Sequence, residues 1–169
     1  MWSNGVINMK KRIKILGMDV DGTLTDGKIH VSKDGEHMKS FDVKDGYGIK
    51  VLLPSLGITP VVISARDSDI VRVRAKELNI PEVHLGVKDK LQTLENLLIR
   101  YDVKLENVAF IGDDLNDIPV LNCIGLSFAP ADAVDEVKRI ANVTLEKNGG
   151  CGAVRECIDY ISKKYAEGK

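Results

Sequence analysis

The sequence contains few residues that could cross-link the chain or hold a zinc ion. Its 169 residues include three cysteines, at positions 123, 151 and 157, and three histidines. The cysteines have no C-x-x-C spacing and the histidines have no H-x-x-x-H spacing. We therefore expect reduced thiols, and neither a disulfide framework nor a zinc site.

Long apolar runs and an excess of charge of either sign are also missing. The net charge is −1 and the sequence pI is about 6.3, so we expect neither nucleic acid nor an anionic membrane as a partner. No run approaches the roughly 18 apolar residues that span a bilayer. Residues 1–9 lack the apolar segment of a signal peptide. These absences predict a cytoplasmic protein.

Short apolar runs alternate with helical patterns along the whole chain. This alternation predicts a doubly wound, mainly parallel, Rossmann-like α/β sheet, and the length is that of one domain. The predicted strands are 13–18, 59–64, 82–85, 107–112, 124–128 and 142–145.

The segment 28–41 does not fit that alternation. It predicts a β-hairpin around the turn Lys33-Asp34-Gly35, and an isolated two-stranded hairpin is marginal in water, so it must lean on other elements. Acidic residues elsewhere predict helix starts, and a final helix is expected after Gly149. The predicted helix starts are Asp45, Asp67 and Asp132.

Chemically active side chains collect where the predicted strands end. Carboxylates that converge on one site repel each other, and a bound hard cation relieves that repulsion. A lysine at a helix N-terminus is misplaced unless an anion lies opposite it. Mg²⁺ and a phosphate ester together would satisfy every group at this edge. The groups are Asp19 and Asp21, Ser64, Lys90, and Asp113 and Asp117.

The order of these residues resembles the four motifs of the haloacid dehalogenase (HAD) superfamily of phosphatases. The motifs are D-x-D-G-T from Asp19, then Ser64, then Lys90, then G-D-D-x-x-D from Gly112, and the resemblance spans residues 12 to about 130. It implies a Mg²⁺-dependent phosphatase that forms an aspartyl-phosphate intermediate. In that mechanism Asp19 is the nucleophile and Asp21 is the general acid and base.

The same resemblance implies the remaining site residues. Asp19, the main-chain carbonyl of Asp21, and Asp113 would hold Mg²⁺, with Asp114 and Asp117 in or near the second shell. Lys90 would neutralise Asp19 and the phosphoryl group. The residues implied to surround the phosphate and the substrate are Thr23, Ser64, Ala65, Arg66 and Lys90.

The spacing of the motifs leaves no room for a cap domain. Only 40 residues separate Thr23 from Ser64, and 25 separate Ser64 from Lys90. The first interval holds the hairpin and one helix, so nothing in the chain is expected to close over the site. Water must then be excluded by another subunit, or the substrate is bound in the open.

Three further segments resemble the capless phosphatases of 3-deoxy-D-manno-octulosonate 8-phosphate (KDO 8-phosphate). They are the hairpin region, S-A-R at 64–66 and G-G-C-G-A-V-R-E at 149–156, so the resemblance runs from Lys11 to about Ile161. It implies one HAD-like domain over 1–169 and a homotetramer joined through the hairpin, in which neighbouring subunits complete each site. The tail and helix at 149–165 could fold towards either the chain's own site or a neighbour's.

The substrate assignment depends on Arg66. A guanidinium can bind the carboxylate of a keto-deoxy sugar acid through two parallel hydrogen bonds. Relatives that act on nine-carbon keto-deoxy sugar 9-phosphates tend to carry Glu near this point, so Arg66 favours the eight-carbon substrate. The structural alternative is an arginine that pairs with Asp67 or Asp69.

Two other classes stay open at this point. A signalling receiver domain also places acidic residues, a hydroxyl and a lysine around Mg²⁺, but its first acids are adjacent whereas Asp19 and Asp21 alternate. A non-catalytic assembly module, related to the C-terminal domain of acylneuraminate cytidylyltransferases, would have lost catalytic acids. This chain keeps every acid of the motifs.

Overall fold

The described residues of the computed structural model are 12 to 165, without the side chain of Tyr165. They form a six-stranded parallel sheet with helices on both faces and a separate two-stranded hairpin, which confirms the predicted α/β fold. Residues 1–9, to which the signal-peptide prediction refers, lie outside the described part. In chain order the strands are β1 (Ile15–Met18), β2 (His30–Ser32), β3 (Gly35–Met38), β4 (Thr59–Ile63), β5 (Glu82–His84), β6 (Val108–Ile111), β7 (Leu126–Ala129) and β8 (Val143–Thr144).

The sheet has the order β5-β4-β1-β6-β7-β8, and every neighbouring pair is parallel. β1 is fully buried and lies between β4 and β6, with Met18 beside Val62 and Ile111. The chain proceeds outward from β1 in one direction and later returns to its other side. The C-terminal ends of β1, β4 and β6 therefore form the crevice where ligands bind in open α/β sheets.

The helices cover both faces of the sheet and bury its side chains. One apolar cluster includes Leu16, Met18 and Phe128, and the opposite one includes Ile15 and Phe110. In chain order the helices are α1 (Val43–Tyr47), α2 (Leu53–Ser55), α3 (Asp69–Glu77), α4 (Lys90–Tyr101), α5 (Ile118–Leu121), α6 (Asp135–Ile140) and α7 (Ala153–Tyr165).

The helix predicted to start at Asp45 begins earlier. Asp42 caps α1, because its carboxylate accepts the N–H groups of Lys44 and Asp45. A π-helical stretch, Gly48–Leu52, then joins α1 to α2, at a point where Pro54 cannot donate a main-chain hydrogen bond.

Asp45 instead lies buried inside α1 and ties the C-terminal helix to it. Its Oδ1 accepts the N–H of Arg155 at 2.8 Å, and burial raises the pKa of Asp45 to about 6. The carboxylate thus satisfies a donor at the N-terminus of α7.

Two other predicted helix starts are also wrong. α3 is capped by Ser68 rather than Asp67, because the Ser68 hydroxyl accepts the N–H of Val71. α6 begins at Asp135 rather than Asp132, whose carboxylate is already used to accept the N–H of Gly149 at 2.9 Å. A neighbouring polar residue takes the capping role at α3, whereas the N-cap of α6 is Val134, which makes no side-chain cap hydrogen bond.

The hairpin of β2 and β3 is antiparallel and turns at Gly35, as predicted. It leans on the body of the molecule through Glu36, which accepts a hydrogen bond from Ser68, and through Lys39, which reaches Asp21. The rest of its surface is exposed. Across residues 12–165 there is no helix of the length and apolarity that crossing a membrane requires.

Candidate active site

The loop that follows β1 carries Asp19 into the crevice at the end of the sheet. Asp19 continues the strand pairing, donating its N–H to the carbonyl of Ile111 at 3.1 Å, and only 5% of the residue is exposed. The carbonyl of Val20 then accepts the N–H groups of Thr23, Leu24 and Thr25. This tight turn fixes Asp19 at the edge of the sheet.

Asp113 enters the same crevice from the end of β6. Its Oδ1 accepts the hydroxyl of Thr23 at 3.0 Å, so Thr23 orients a carboxylate. Gly22 makes the contact possible: its φ is +90°, and a Cβ at this position would lie 2.0 Å from Asp113 Oδ2. Gly22 of the first motif therefore allows Asp113 of the fourth motif to approach closely.

Asp19, Asp113 and Asp117 form one carboxylate cluster. An oxygen from each lies within 4.8 Å of the others. Burial, followed by the charge of Asp117, raises the pKa of Asp19. Burial, followed by the charges of Asp19 and Asp117, raises the pKa of Asp113. Burial and mutual repulsion thus disfavour ionisation of these carboxylates, and a bound cation would favour it.

Lys90 neutralises two members of this cluster. Its Nζ lies 2.9 Å from Asp19 Oδ1 and 2.7 Å from Asp117 Oδ1, and 3% of its side chain is exposed. Burial alone would lower the pKa of Lys90, but the charges of Asp19 and Asp117 outweigh it and raise the pKa. The buried lysine at the start of α4 therefore lies opposite anions, as its position in the sequence predicted.

Asp117 is held by the protein more completely than the other two acids. Its Oδ1 accepts Lys90, and its Oδ2 accepts the N–H groups of Asp113 at 3.0 Å and Asp114 at 3.3 Å. A Cβ on Gly112 would lie 2.5 Å from the Asp117 carboxyl carbon. Asp114 is exposed and its side chain caps the turn that follows, accepting the N–H of Leu115.

The end of β4 supplies Ser64, Ala65 and Arg66. Ser64 is buried, and its hydroxyl accepts the N–H of Arg66 at 3.3 Å. Ala65 is exposed. The turn follows β4, which pairs with β1, so it lies at the same edge of the sheet as the loop that carries Asp19.

Arg66 lies against the second acid of the first motif. Its Nε is 3.3 Å from Asp21 Oδ2, and 48% of its side chain is exposed. The predicted alternative partners, Asp67 and Asp69, both pair with Arg72 instead. Arg66 is therefore an exposed guanidinium at the mouth of the crevice, with a single carboxylate as its ion-pair partner in the described part of the chain.

Sequence reasoning missed Lys39 and Glu36. The Nζ of Lys39 lies 2.5 Å from Asp21 Oδ1 and 2.7 Å from Glu36 Oε1, and 1% of its side chain is exposed. A lysine beside an edge hairpin has the sequence pattern of a solvated residue. Only the folding of the hairpin back onto the loop after β1 brings the Lys39 ammonium group to Asp21.

The segment that precedes α7 packs on the loop of its own chain. Gly150 donates its N–H to the carbonyl of Thr23 at 3.0 Å, and a Cβ on Gly149 would lie 1.9 Å from the carbonyl oxygen of Gly22. Glycines at both positions let the segment approach the catalytic loop closely. This part of the predicted tail thus supports the chain's own site.

Comparison with known proteins identifies the family of this chain. The family model described as haloacid dehalogenase-like hydrolase matches residues 63–158. The chain belongs to this family.

Curated relatives of this haloacid dehalogenase-like chain share one name. The 3-deoxy-D-manno-octulosonate 8-phosphate phosphatase KdsC of Escherichia coli K12 is 41% identical over 166 residues, which are 94% of this chain and 84% of the relative. The protein of the same name from Haemophilus influenzae is 43% identical over 159 residues, covering 94% of this chain and 87% of the relative. The similarity thus extends well beyond the matched family segment.

Solved structures agree with the curated relatives. The cobalt-bound phosphatase of the same substrate from H. influenzae superimposes with a TM-score of 0.89 at 41% identity, covering 93% of this chain and 91% of that one. The enzyme from Moraxella catarrhalis, in complex with magnesium, phosphate and KDO, gives a TM-score of 0.86 at 38% identity, covering 90% and 87%.

Proposed function

We propose that this chain is a Mg²⁺-dependent phosphatase that hydrolyses KDO 8-phosphate to KDO and phosphate. The observation that carries the proposal is the buried set of Asp19, Lys90 and Asp113 at the end of the sheet, in a chain whose relatives carry that name. A nucleophilic carboxylate beside a buried lysine and a second carboxylate is the set that phosphoryl transfer requires.

The proposed reaction has two steps. In the first, an oxygen of Asp19 attacks phosphorus and the bond from phosphorus to the ester oxygen breaks, while Asp21 gives its proton to the leaving alcohol oxygen. In the second, water attacks the aspartyl phosphate, the bond from phosphorus to Asp19 breaks, and Asp21 accepts the proton of water. The sum is ester plus water to alcohol plus phosphate, with Asp19 and Asp21 restored.

The carboxylate cluster suits Mg²⁺ in both donor type and charge. Its donors are oxygens, which Mg²⁺ prefers, and the raised pKa values of Asp19 and Asp113 reflect burial first and then repulsion between the carboxylates, which a cation would offset. Bound Mg²⁺ would supply charge stabilisation to the phosphoryl oxygens. We assign Asp19, Asp113 and the carbonyl of Asp21 as its protein ligands, with Asp117 behind them, because both Asp117 oxygens are already engaged by Lys90 and main-chain N–H groups.

The other predicted residues receive supporting roles in this proposal. Ser64 and the turn through Ala65 would bind the phosphoryl group, Thr23 orients Asp113, and Asp114 shapes the turn of the fourth motif. Arg66 would leave Asp21 to bind the carboxylate of the sugar acid, since its guanidinium is half exposed at the mouth.

Phosphate release from a panel of esters tests the function. We expect turnover of KDO 8-phosphate with Mg²⁺ and less than about one hundredth of that rate in EDTA, because the phosphoryl group then loses a stabilising cation. Nine-carbon keto-deoxy sugar 9-phosphates and generic sugar phosphates are the comparison substrates.

The panel separates the parts of the proposal. Higher kcat/KM on a nine-carbon ester would reassign the substrate, and equal turnover of generic esters would remove its specificity while keeping the reaction class. Full activity in EDTA after removal of bound metal would overturn the metal assignment.

We further propose a cytoplasmic homotetramer that assembles through the hairpin. Two exposed apolar groups support it: Ile29, Val31 and Met38 in the hairpin region, and a helical stripe of Val43, Tyr47 and Val51. Exposed apolar side chains that cluster on a surface mark an interaction site.

Light scattering and serial dilution test the assembly. We expect the mass of a tetramer, and specific activity that falls on dilution together with that mass. Val31→Asp should lower the mass because it places a charge within the apolar patch, whereas Lys33→Asp, on the exposed turn of the same hairpin, should not. A monomer with undiminished kcat/KM at nanomolar concentration would end this proposal.

A further inference from the structure

The buried ammonium group of Lys39 has no role in the mechanism above. Lys39 follows β3 at the base of the hairpin, yet 1% of its side chain is exposed. Burying a lysine costs both hydration and side-chain freedom, so such a residue persists where fixed partners compensate it. Its partners are Asp21 and Glu36, at 2.5 Å and 2.7 Å.

Asp21 lies between two cations that differ in exposure. Lys39 contacts Oδ1 from a buried position, and Arg66 contacts Oδ2 with a side chain that is 48% exposed. A half-exposed arginine can turn to an anionic group of a substrate, but the buried lysine cannot leave without uncovering its charge. Lys39 is therefore the partner that stays with Asp21 when substrate binds.

Glu36 fixes Lys39 from the other side. One Glu36 oxygen contacts Lys39 and the other accepts the hydroxyl of Ser68, the residue that caps α3 two positions after Arg66. The hydrogen bonds to Lys39 and Ser68 lower the pKa of Glu36 although partial burial alone would raise it. Glu36 thus remains an anion that anchors Lys39 to both the hairpin and the arginine turn.

We propose that Lys39 is a positioning residue for Asp21, which it holds at the place where the leaving oxygen must receive its proton. The proposal rests on the acid and base role of Asp21 given above. Lys39 does not contact the substrate. It acts by restraining one Asp21 oxygen so that the other faces the crevice beside Arg66.

The role predicts an effect that depends on the leaving group. An alkyl phosphate such as a sugar phosphate needs a proton on its departing oxygen, whereas p-nitrophenyl phosphate and acetyl phosphate have leaving groups stable as anions. A misplaced Asp21 should slow transfer of the phosphoryl group to Asp19 for the first type and spare that step for the second. General damage to the fold or to phosphate binding would slow both types alike.

The test compares kcat/KM, which reports formation of the aspartyl phosphate, on both ester types for Lys39→Met, Lys39→Arg and Asp21→Asn. We expect Lys39→Met to lower kcat/KM on the alkyl ester by about 10- to 100-fold and on the activated esters by less than about threefold, while kcat falls on both types because Asp21 also accepts the proton of water in the second step. Lys39→Arg should restore part of the alkyl activity. Lys33→Met, on the exposed turn of the same hairpin, is the matched control and should behave as wild type.

The Asp21→Asn variant distinguishes a failure of the Lys39 proposal from a failure of the acid and base role of Asp21, on which that proposal rests. If Asp21→Asn lowers kcat/KM selectively on the alkyl ester and Lys39→Met lowers kcat/KM equally on both types, the positioning role is overturned. If Asp21→Asn itself lowers kcat/KM equally on both types, the general-acid assignment of Asp21 is wrong and the role of Lys39 falls with it.

A second variant covers the case in which Lys39→Met does not fold. Glu36→Gln keeps the lysine and weakens its anchor, so it should show the same selective loss of kcat/KM on alkyl esters, smaller in size. Wild-type kcat/KM on alkyl esters in folded Glu36→Gln, or an equal loss of kcat/KM on both ester types, would overturn the proposal. Circular dichroism and thermal unfolding establish which variants are folded.

Discussion

Asp19→Asn is expected to lower kcat for phosphate release by about 10⁴-fold or more while the protein stays folded. The amide cannot attack phosphorus, so no covalent intermediate forms, and loss of a nucleophile typically removes most of the rate enhancement. Rapid-quench measurement with a ³²P-labelled ester should find no acid-stable phosphate attached to the variant. The matched change Asp34→Asn, in the exposed hairpin turn, should leave kcat unchanged.

Asp19→Asn is also expected to change stability, but in the favourable direction. Burial and the charge of Asp117 raise the pKa of Asp19 above its value of 3.8 in an unfolded chain, to about 6. An acid whose pKa is raised by folding favours the folded state while protonated, and loses that contribution as pH rises through the two values. At pH 8 without metal, the Asp19 charge therefore opposes folding, and the neutral asparagine does not.

Urea unfolding in EDTA at pH 8 measures this difference. Asp19→Asn should have a free energy of unfolding at least equal to that of wild type, and the advantage should vanish below about pH 4. A variant that loses activity only because it unfolds would instead have a lower free energy of unfolding than wild type. Retained turnover above about a hundredth of wild type would contradict the nucleophile assignment.

The strands and the acids at their ends could be predicted from the sequence because both depend on local patterns. The run 107–112 is mostly apolar over the length of a strand, and Asp113 follows it, where the buried strand ends and the chain turns. Parallel pairing then brings the ends of β1, β4 and β6 together. The convergence of Asp19, Ser64 and Asp113 follows from topology alone.

Helix starts were predicted less well because several polar residues compete for each cap. Asp42, Asp45, Asp67 and Ser68 all have the chemistry of an N-cap, and the choice between them depends on which side chain is needed elsewhere. Asp45 is used by Arg155, 110 residues away in the chain, and Asp67 is used by Arg72. Arg155 lies outside α1, so no pattern within that helix contains the information that Asp45 is needed elsewhere.

Lys39 is the clearest case of a site residue that the sequence conceals. It lies in a segment that reads as an edge hairpin, and its contact with Asp21 spans 18 residues. The prediction that nothing in the chain closes over the site treated the hairpin as a surface for other subunits. The structure shows that the base of the hairpin also belongs to the chain's own crevice, beside the proposed acid and base.

Lys90→Met is expected to have the second large effect, on both activity and stability. The change removes the cation that lies 2.9 Å from Asp19 and 2.7 Å from Asp117, and leaves their carboxylates facing each other in a buried site. Breaking a buried ion pair from one side costs about 3–5 kcal/mol of unfolding free energy. Since the lysine would also neutralise the phosphoryl group, kcat should fall by about 10³-fold or more.

Added Mg²⁺ separates these two effects of Lys90→Met. A ligand that binds only the folded state stabilises it in proportion to the logarithm of its concentration, so millimolar Mg²⁺ should raise the melting temperature of the variant. It should not restore kcat, because a cation at the carboxylate cluster does not replace the ammonium group at the start of α4. Lys90→Arg should recover little activity, since a larger planar group does not fit a buried position shaped for a point charge.

Lys88→Met is the matched control for Lys90→Met, because Lys88 is exposed two residues earlier in the same segment. It should change neither kcat nor the melting temperature, since removing a solvated charge costs little. If Lys90→Met kept wild-type kcat while its stability fell, Lys90 would only compensate Asp19 and Asp117 in the folded protein, and the charge that stabilises phosphoryl transfer would have to come from Mg²⁺ and the turn at Ser64. A fall in both quantities, with Mg²⁺ restoring only stability, is the result that assigns Lys90 to both tasks.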